Sequence, residues 1–309
     1  MPAVGFQDVL SCLALKAGGS AAETIGATEP IGATEPTEYS GGNLPLAYGR
    51  VFGGQILAQA ISVAASVDPS KEIKSLTMVF PREGDPATEI VYVPQLHSNG
   101  RTFATLSVAA SQRLAVPLSR ATSAASGDQG SADHQIKTVA VALISLHAPD
   151  PAGPAHQLDM DPGANPESAV KLDLGMIPWE TRAVGGVDLS SRASGPAVLQ
   201  LWMRTPPLED KTALHQGLLA YATDLTLIGT SLRPLEGLSQ ADSGVKFHSA
   251  VTSHTIWFHQ PFRMDQWLLL DQHSPVLSGS RAFGRGDVYS TTGALVASYA
   301  QEAMVKMIQ

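Results

Sequence analysis

The residues best placed to do chemistry lie in the second half of the chain. Asp224 stands in an apolar run, LLAYATDLTLIG. A carboxylate buried there costs free energy unless it finds a partner. Burial would also raise its pKa above the ~3.9 of a free aspartate, toward the range of a general base. Gln301, in AQEA, has no charge and cannot be a base, but its amide can donate to and accept from a water, and can donate to a carbonyl oxygen. The stretch HTIWFHQPF, residues 254–262, gathers two histidines, a tryptophan and two phenylalanines in a chain that is only 6% aromatic. His254 and His259 are five apart, so on a strand they face opposite sides. No HExxH spacing accompanies them, which argues against a zinc centre, and no GxSxG elbow pairs with either one. The stretch reads as a packed strand in which His254 and Trp257 help to build an apolar pocket wall.

Two further groups could bind rather than react. Gly53 and Gly54 open a helix and could bare backbone N–H groups to an anion or oxyanion; the alternative is tight packing of the helix start. Arg281 and Arg285 share one face of a strand and could meet phosphates, or they form an ordinary solvated face.

Composition narrows the classes of function. The chain has 309 residues, 44% of them hydrophobic, which suits a soluble protein of about two domains with a real core. The net charge of -8 argues against a nucleic-acid partner, because phosphate backbones need clustered Lys and Arg. One cysteine, Cys12, excludes an internal disulfide or a cysteine-rich metal site, and reads as a small buried hydrophobe. No apolar run is long enough for a membrane span and the N-terminus does not resemble a signal peptide, so membrane insertion is not expected and the cytoplasm is the expected location.

The elements that must position these residues follow from periodicity. Residues 6–16 read as a short amphipathic helix, and the tandem hexapeptide IGATEPIGATEP, residues 25–36, as an exposed loop. The run after Gly53-Gly54 is apolar all round a helical wheel, which predicts a buried helix over 54–67. Alternating β-branched runs then predict strands in SLTMVF, TEIVYVPQL and TFATLSVAASQ, with Asn99-Gly100 as a positive-φ hairpin turn. Residues 126–196, rich in Gly, Pro, Asp and Ser, read as a linker with a helix at 135–146 and a strand near 179–184. From 197 the order returns: the strand AVLQLWMRT, one long buried helix in KTALHQGLLAYATDLTLIGTSL that covers 214–226, then four strands and a last turn at Gly293. Ser75–Phe80 can be laid on Ser253–Phe258, and Arg101–Phe103 on Arg281–Phe283. The expected organisation is an N-terminal unit over 1–125, a linker over 126–196 and a C-terminal unit over 197–309. A single all-apolar helix with four or five antiparallel strands fits only if the sheet wraps the helix. That is a hot-dog unit, and an α+β double hot-dog is expected.

RVFGGQ, LLAYATD, HTIWFHQPF, QWLLL, SRAFGRGDVYSTTGALVAS and the terminal QEA, in this order, resemble the type II acyl-CoA thioesterases of the TesB type. The resemblance runs from about residue 44 to the end. It implies hydrolysis of fatty acyl-CoA to fatty acid and CoA, without cofactor, metal or covalent intermediate, by a water held between an Asp, a Ser or Thr and a Gln. Those positions fall on Asp224, Val251 and Gln301, and valine has no hydroxyl. Thr252 could supply the hydroxyl only through a bulge, since strand neighbours face opposite sides, whereas Ser249 and Ser253 would share the face of Val251. The family also tends to carry Asp where this chain has Ser253, and histidines where it has Lys74 and Thr77. The resemblance further implies a homodimer or higher oligomer. The alternatives are an acyl-CoA-binding protein with impaired catalysis and, more remotely, a hydratase, which would need a histidine beside the Asp on the helix.

Overall fold

The computed structural model describes residues 4–20, 37–46, 49–115, 134–149, 153–157, 160 and 165–308. The hexapeptide repeat lies outside them. Thirteen strands form one sheet, in the order β1-β2-β4-β5-β6-β3-β10-β13-β12-β11-β9-β8-β7. The first half supplies β1 (Lys16–Ser20), β2 (Thr37–Gly41), β3 (Glu72–Val79), β4 (Ile90–Asn99), β5 (Phe103–Ala115) and β6 (His134–His147). The second supplies β7 (Val170–Lys171), β8 (Glu180–Ala183), β9 (Val198–Arg204), β10 (Phe247–Phe258), β11 (Leu268–Ser278), β12 (Arg281–Ser290) and β13 (Leu295–Met307). Helices α1 (Phe6–Leu13), α2 (Gly53–Val67), α3 (Thr212–Thr223) and α4 (Leu227–Leu232) complete the described fold. It is a double hot-dog.

The halves join where β3 pairs antiparallel with β10. Thr77 meets Thr255, with their hydroxyls 3.2 Å apart. On either side Met78 faces His254 and Leu76 faces Ile256. Laying Ser75–Phe80 on Ser253–Phe258 exchanges these pairs, so an internal two-fold axis passes between the two threonines. The helices obey the same axis. A Cβ built on Gly54 would lie 2.4 Å from the Tyr221 carbonyl, and one on Gly217 would lie 3.5 Å from the Ala58 carbonyl. Each helix thus brings a glycine to its partner's backbone. Residues on every side of α2, from Gly54 to Ala64, are buried, as are His215–Thr223 on α3. An apolar-all-round helix is stable only when neighbours cover it on all sides, and here the sheet and the other helix do so.

Three expectations change. Residues 135–146 form not a helix but most of β6, inserted between β5 and β3. Ala140, Ala142, Ile144 and Leu146 are buried, while Val141 and Leu143 are 45% and 55% exposed. That is the period of two of a strand, and it brings part of the expected linker into the first half of the sheet. The Asn99-Gly100 turn does join β4 to β5, with the Gly100 N–H donating to the Phe103 carbonyl at 2.9 Å, but neither residue has positive φ. Gly293 does, at 82°. Finally, the long helix after Lys211 breaks at Asp224 into α3 and α4. No Gly or Pro causes the break. Beside it the Thr230 hydroxyl donates to the Thr226 carbonyl at 2.9 Å, and such back-bonding bends helices. Thr223 Oγ1 stands 3.0 Å from the Ala220 carbonyl.

Candidate active site

The break leaves Asp224 as the C-cap of α3, 4% exposed, against the first turn of α2. The Gly54 N–H donates to its carboxylate. A Cβ on Gly53 would stand 2.9 Å from Oδ2, so glycine there makes room for the carboxylate. The N-cap of α2, Phe52, offers no side-chain cap, and Asp224 from the other half does that work. Desolvation nevertheless dominates. It raises the pKa to about 7, against the lowering pull of the Gly54 N–H and the Arg50 guanidinium. Oδ1 is buried and has no hydrogen-bond partner among the described residues.

Beside Asp224, the Thr223 hydroxyl lies 3.1 Å from His254 Nε2, and His254 Nδ1 lies 3.0 Å from Gln301 Oε1. His254 is 0% exposed and Gln301 2%. Burial pushes the His254 pKa down to about 4, so the ring is neutral at pH 7. Gln301 Nε2 is buried and unpartnered. Its ladder neighbour on β12, Gly284, has no side chain, and a Cβ there would meet Leu227 of α4 at 2.6 Å. This places Gln301 on the strand beneath the helix break. An unpartnered acceptor on Asp224 and an unpartnered donor on Gln301 are uncommon in an interior where nearly all polar groups are paired.

The ladder between β10 and β13 shifts register at Thr252, with Val251 opposite Ala303 and Ser253 opposite Glu302. Thr252 is therefore a bulge residue. Before the bulge Phe247 and Ser249 are buried; after it His254, Ile256 and Phe258 are. The extra residue makes Val251 and His254 successive positions on the helix-facing side. The bulge that would be needed for Thr252 to stand in for the missing hydroxyl is present, but it turns the hydroxyl elsewhere. Thr252 donates to the Glu302 carbonyl at 3.1 Å and approaches its carboxylate at 3.3 Å. The same shift removes Ser253 from the face of Val251. Ser249 stays on that face, with its hydroxyl 2.9 Å from that of Ser243.

Four expected binding residues lie elsewhere or are already engaged. The Gly54 N–H is used by Asp224, so that group holds the carboxylate rather than an incoming anion. Trp257 alternates outward and is 43% exposed, so the inward wall of this strand is built by Ile256 and Phe258 instead. His259 also faces outward, bonded to the Ser298 hydroxyl at 3.0 Å. Arg281 and Arg285 do share a face, but it is the exposed one, since Ala282, Gly284 and Gly286 between and beside them are the buried residues. Arg285 there contacts His273 Nε2 at 3.0 Å. A small surface cleft lies by Thr212 and Gln216, at the opposite end of α3 from Asp224. The sequence reading missed Thr223 and Arg50. Arg50 binds Glu83 and the Ser249 carbonyl, and its charge reaches Asp224. Both lie within quoted motifs, LLAYATD and RVFGGQ, but only the fold brings either one to His254 or Asp224.

Comparison with known proteins agrees with the fold. Residues 44–126 match the acyl-CoA thioesterase N-terminal domain and residues 149–305 the acyl-CoA thioesterase C-terminal domain. Acyl-CoA thioesterase 2 of Haemophilus influenzae is 30% identical over 274 residues, covering 87% of this chain and 92% of its own. Acyl-coenzyme A thioesterase 8 of Mus musculus is 28% identical, covering 84% and 81%. Among solved structures, a TesB protein of Mycobacterium avium subs paratuberculosis superposes with a TM-score of 0.70 at 25% identity, over 97% of this chain and 99% of that one. The acyl-CoA thioesterase II TesB2 of Mycobacterium marinum gives 0.67 at 28%, over 88% and 94%. With both halves matched and a relative of this identity along most of its length, the chain belongs to the TesB-like acyl-CoA thioesterase II family.

Proposed function

We propose that the protein hydrolyses acyl-CoA thioesters at the site formed by Asp224 and Gln301. The observation that carries this reading is the pair of buried, unpartnered groups, Asp224 Oδ1 and Gln301 Nε2, of which Gln301 is bonded through His254 to Thr223, the residue before Asp224. A water placed between them donates a proton to the carboxylate and accepts from the amide, which satisfies both. With its pKa raised to about 7, Asp224 is matched to proton transfer near neutral pH. Asp224 takes the proton as the water oxygen attacks the thioester carbonyl carbon. The tetrahedral intermediate then expels sulfur, the C–S bond breaks, and the proton passes to the departing thiolate. The products are a carboxylic acid and free CoA.

A second reading is binding with impaired catalysis. It is favoured by Val251, which brings no hydroxyl to the face of His254, and by Thr252, whose hydroxyl is held on Glu302. Loss of one positioned hydrogen bond in such a site can cost about 10²-fold in rate. Free-thiol release from saturated acyl-CoAs of graded chain length separates the readings. Release that disappears in Asp224→Asn supports hydrolysis. Binding without release, in the wild type, supports the binder.

A further inference from the structure

The Thr223–His254–Gln301 link has only two self-consistent directions. A neutral imidazole has one donor and one acceptor nitrogen. In the first direction the Thr223 hydroxyl donates to Nε2, Nδ1–H donates to the Gln301 carbonyl, and the Gln301 NH₂ is turned into the site. In the second, Nε2–H donates to Thr223, whose hydroxyl donates to the Ala220 carbonyl. Gln301 must then offer its NH₂ to Nδ1 and turn its carbonyl into the site. The two differ in the chemistry shown to a substrate, a donor in one and an acceptor in the other.

The site already holds a bare acceptor, Asp224 Oδ1. A second acceptor would repel it and would leave no donor for the water oxygen or for the thioester carbonyl as it gains negative charge. Thr223 Oγ1 lies 3.0 Å from the Ala220 carbonyl and 3.1 Å from Nε2, so its single proton can serve either direction. The Gln301 amide distinguishes them: its placement is that of the first direction, with Oε1 on Nδ1 at 3.0 Å and Nε2 unpartnered among the described residues, and Thr223 then gives its proton to Nε2 rather than to Ala220. The ring is also held from beneath. Tyr299 stacks on it, centroids 6.0 Å apart and planes 15° from parallel. The Tyr299 hydroxyl donates to Gln272 at 2.7 Å, and Gln272 Nε2 reaches the Thr226 and Thr230 hydroxyls at 2.9 Å each. Thr226 is the N-cap of α4 and Thr230 lies within that helix, on the far side of the break from α3, so the ring and the carboxylate are fixed to the same helix break. The bulge at Thr252 makes position 251, where the hydroxyl is missing, the neighbour of His254 on this face.

We propose that His254 is a positioning residue whose Nδ1–H clamps the Gln301 carbonyl, so that the Gln301 NH₂ becomes the side-chain donor that Val251 cannot supply. This rests on the thioesterase reading of the site, but its test does not depend on turnover alone. The tautomer of His254 is read by ¹⁵N-resolved imidazole NMR of the full chain at pH 7. Nδ1–H is expected, and Nε2–H would overturn the proposal whatever the activity.

Two substitutions then separate clamping from packing. Asparagine can place an amide N–H where Nδ1 stood, and glutamine reaches toward Nε2 without replacing it. His254→Gln should lower kcat by about tenfold or more with KM within about twofold, while His254→Asn retains most of the wild-type rate. Equal losses in two folded variants would overturn the clamp. Asp224→Asn serves as the control for the function itself. An inactive wild type with the Nδ1–H tautomer would refute the thioesterase reading and leave the clamp standing.

Discussion

Asp224 gives the sharpest link between structure and measurement, because one buried carboxylate sets both a stability profile and a rate profile. Its pKa is about 7 in the folded chain, against a reference value of 3.8. In the unfolded chain it loses its proton near pH 4, and in the folded chain only near pH 7. Between those values the folded state binds the extra proton, so this group makes stability fall as pH rises. A shift of about three units corresponds to at most ~4 kcal/mol. His254 works in the opposite sense. Its folded pKa is about 4 against 6.5, so its contribution is lost as pH falls through that interval. It is worth at most ~3 kcal/mol by the same conversion. The two nearly cancel in the wild type, and a single stability curve would show neither.

Asp224→Asn removes one of them. The difference in unfolding free energy, variant minus wild type, should rise by up to ~4 kcal/mol between pH 4 and 7 and be flat above. A new unpartnered amide N–H would offset the variant by ~1 to 3 kcal/mol, but without pH dependence. Urea unfolding of both proteins from pH 4 to 9 measures it. The wild-type kcat/KM for acyl-CoA should rise with pH and level off above about 7, as the base ionises. A stability difference independent of pH, together with a rate profile flat through pH 7, would refute the assignment of a desolvated base.

The other expectations are narrower. Gly53→Ala places a Cβ 2.9 Å from Asp224 Oδ2, so the carboxylate must move. Activity should fall by about 10- to 100-fold with little change in melting temperature, and an unchanged kcat/KM would show that the position of this oxygen does not matter. Val251→Thr is nearly isosteric and adds a hydroxyl beside His254. Steady-state kinetics should show kcat rising by up to about 10²-fold, while an unchanged rate in a folded variant would mean that the missing hydroxyl is not limiting. Thr252→Val loses only the bonds to Glu302. It should leave kcat within about twofold and cost about 1 kcal/mol in stability by urea titration, and a large kcat loss would return Thr252 to the site.

The repeated order of an apolar helix and alternating strands is enough to read a sheet wrapped around one helix in each half, because burial on all sides and period-two patterning are local properties of the chain. It failed at residues 135–146, where a short apolar run fits either period and only pairing with β5 and β3 decides. Asp224 and Gln301 were legible as residue types out of keeping with their apolar surroundings. Their environment was not. The Gly53-Gly54 pair reads the same whether its backbone serves a ligand or a carboxylate, and which it serves depends on α3 crossing from the other half. Strand alternation assigned Val251, Thr252 and Ser253 to faces, and one bulge moved Ser253 off the face of Val251 and brought His254 onto it, since an extra residue reverses parity for everything beyond it. Trp257, Arg281 and Arg285 carried chemistry in their types but were set outward by that same parity. The sequence determined which groups the chain possesses. The tertiary structure decided which of them are desolvated together, and desolvation, not residue type, makes an aspartate a base and a histidine a neutral clamp.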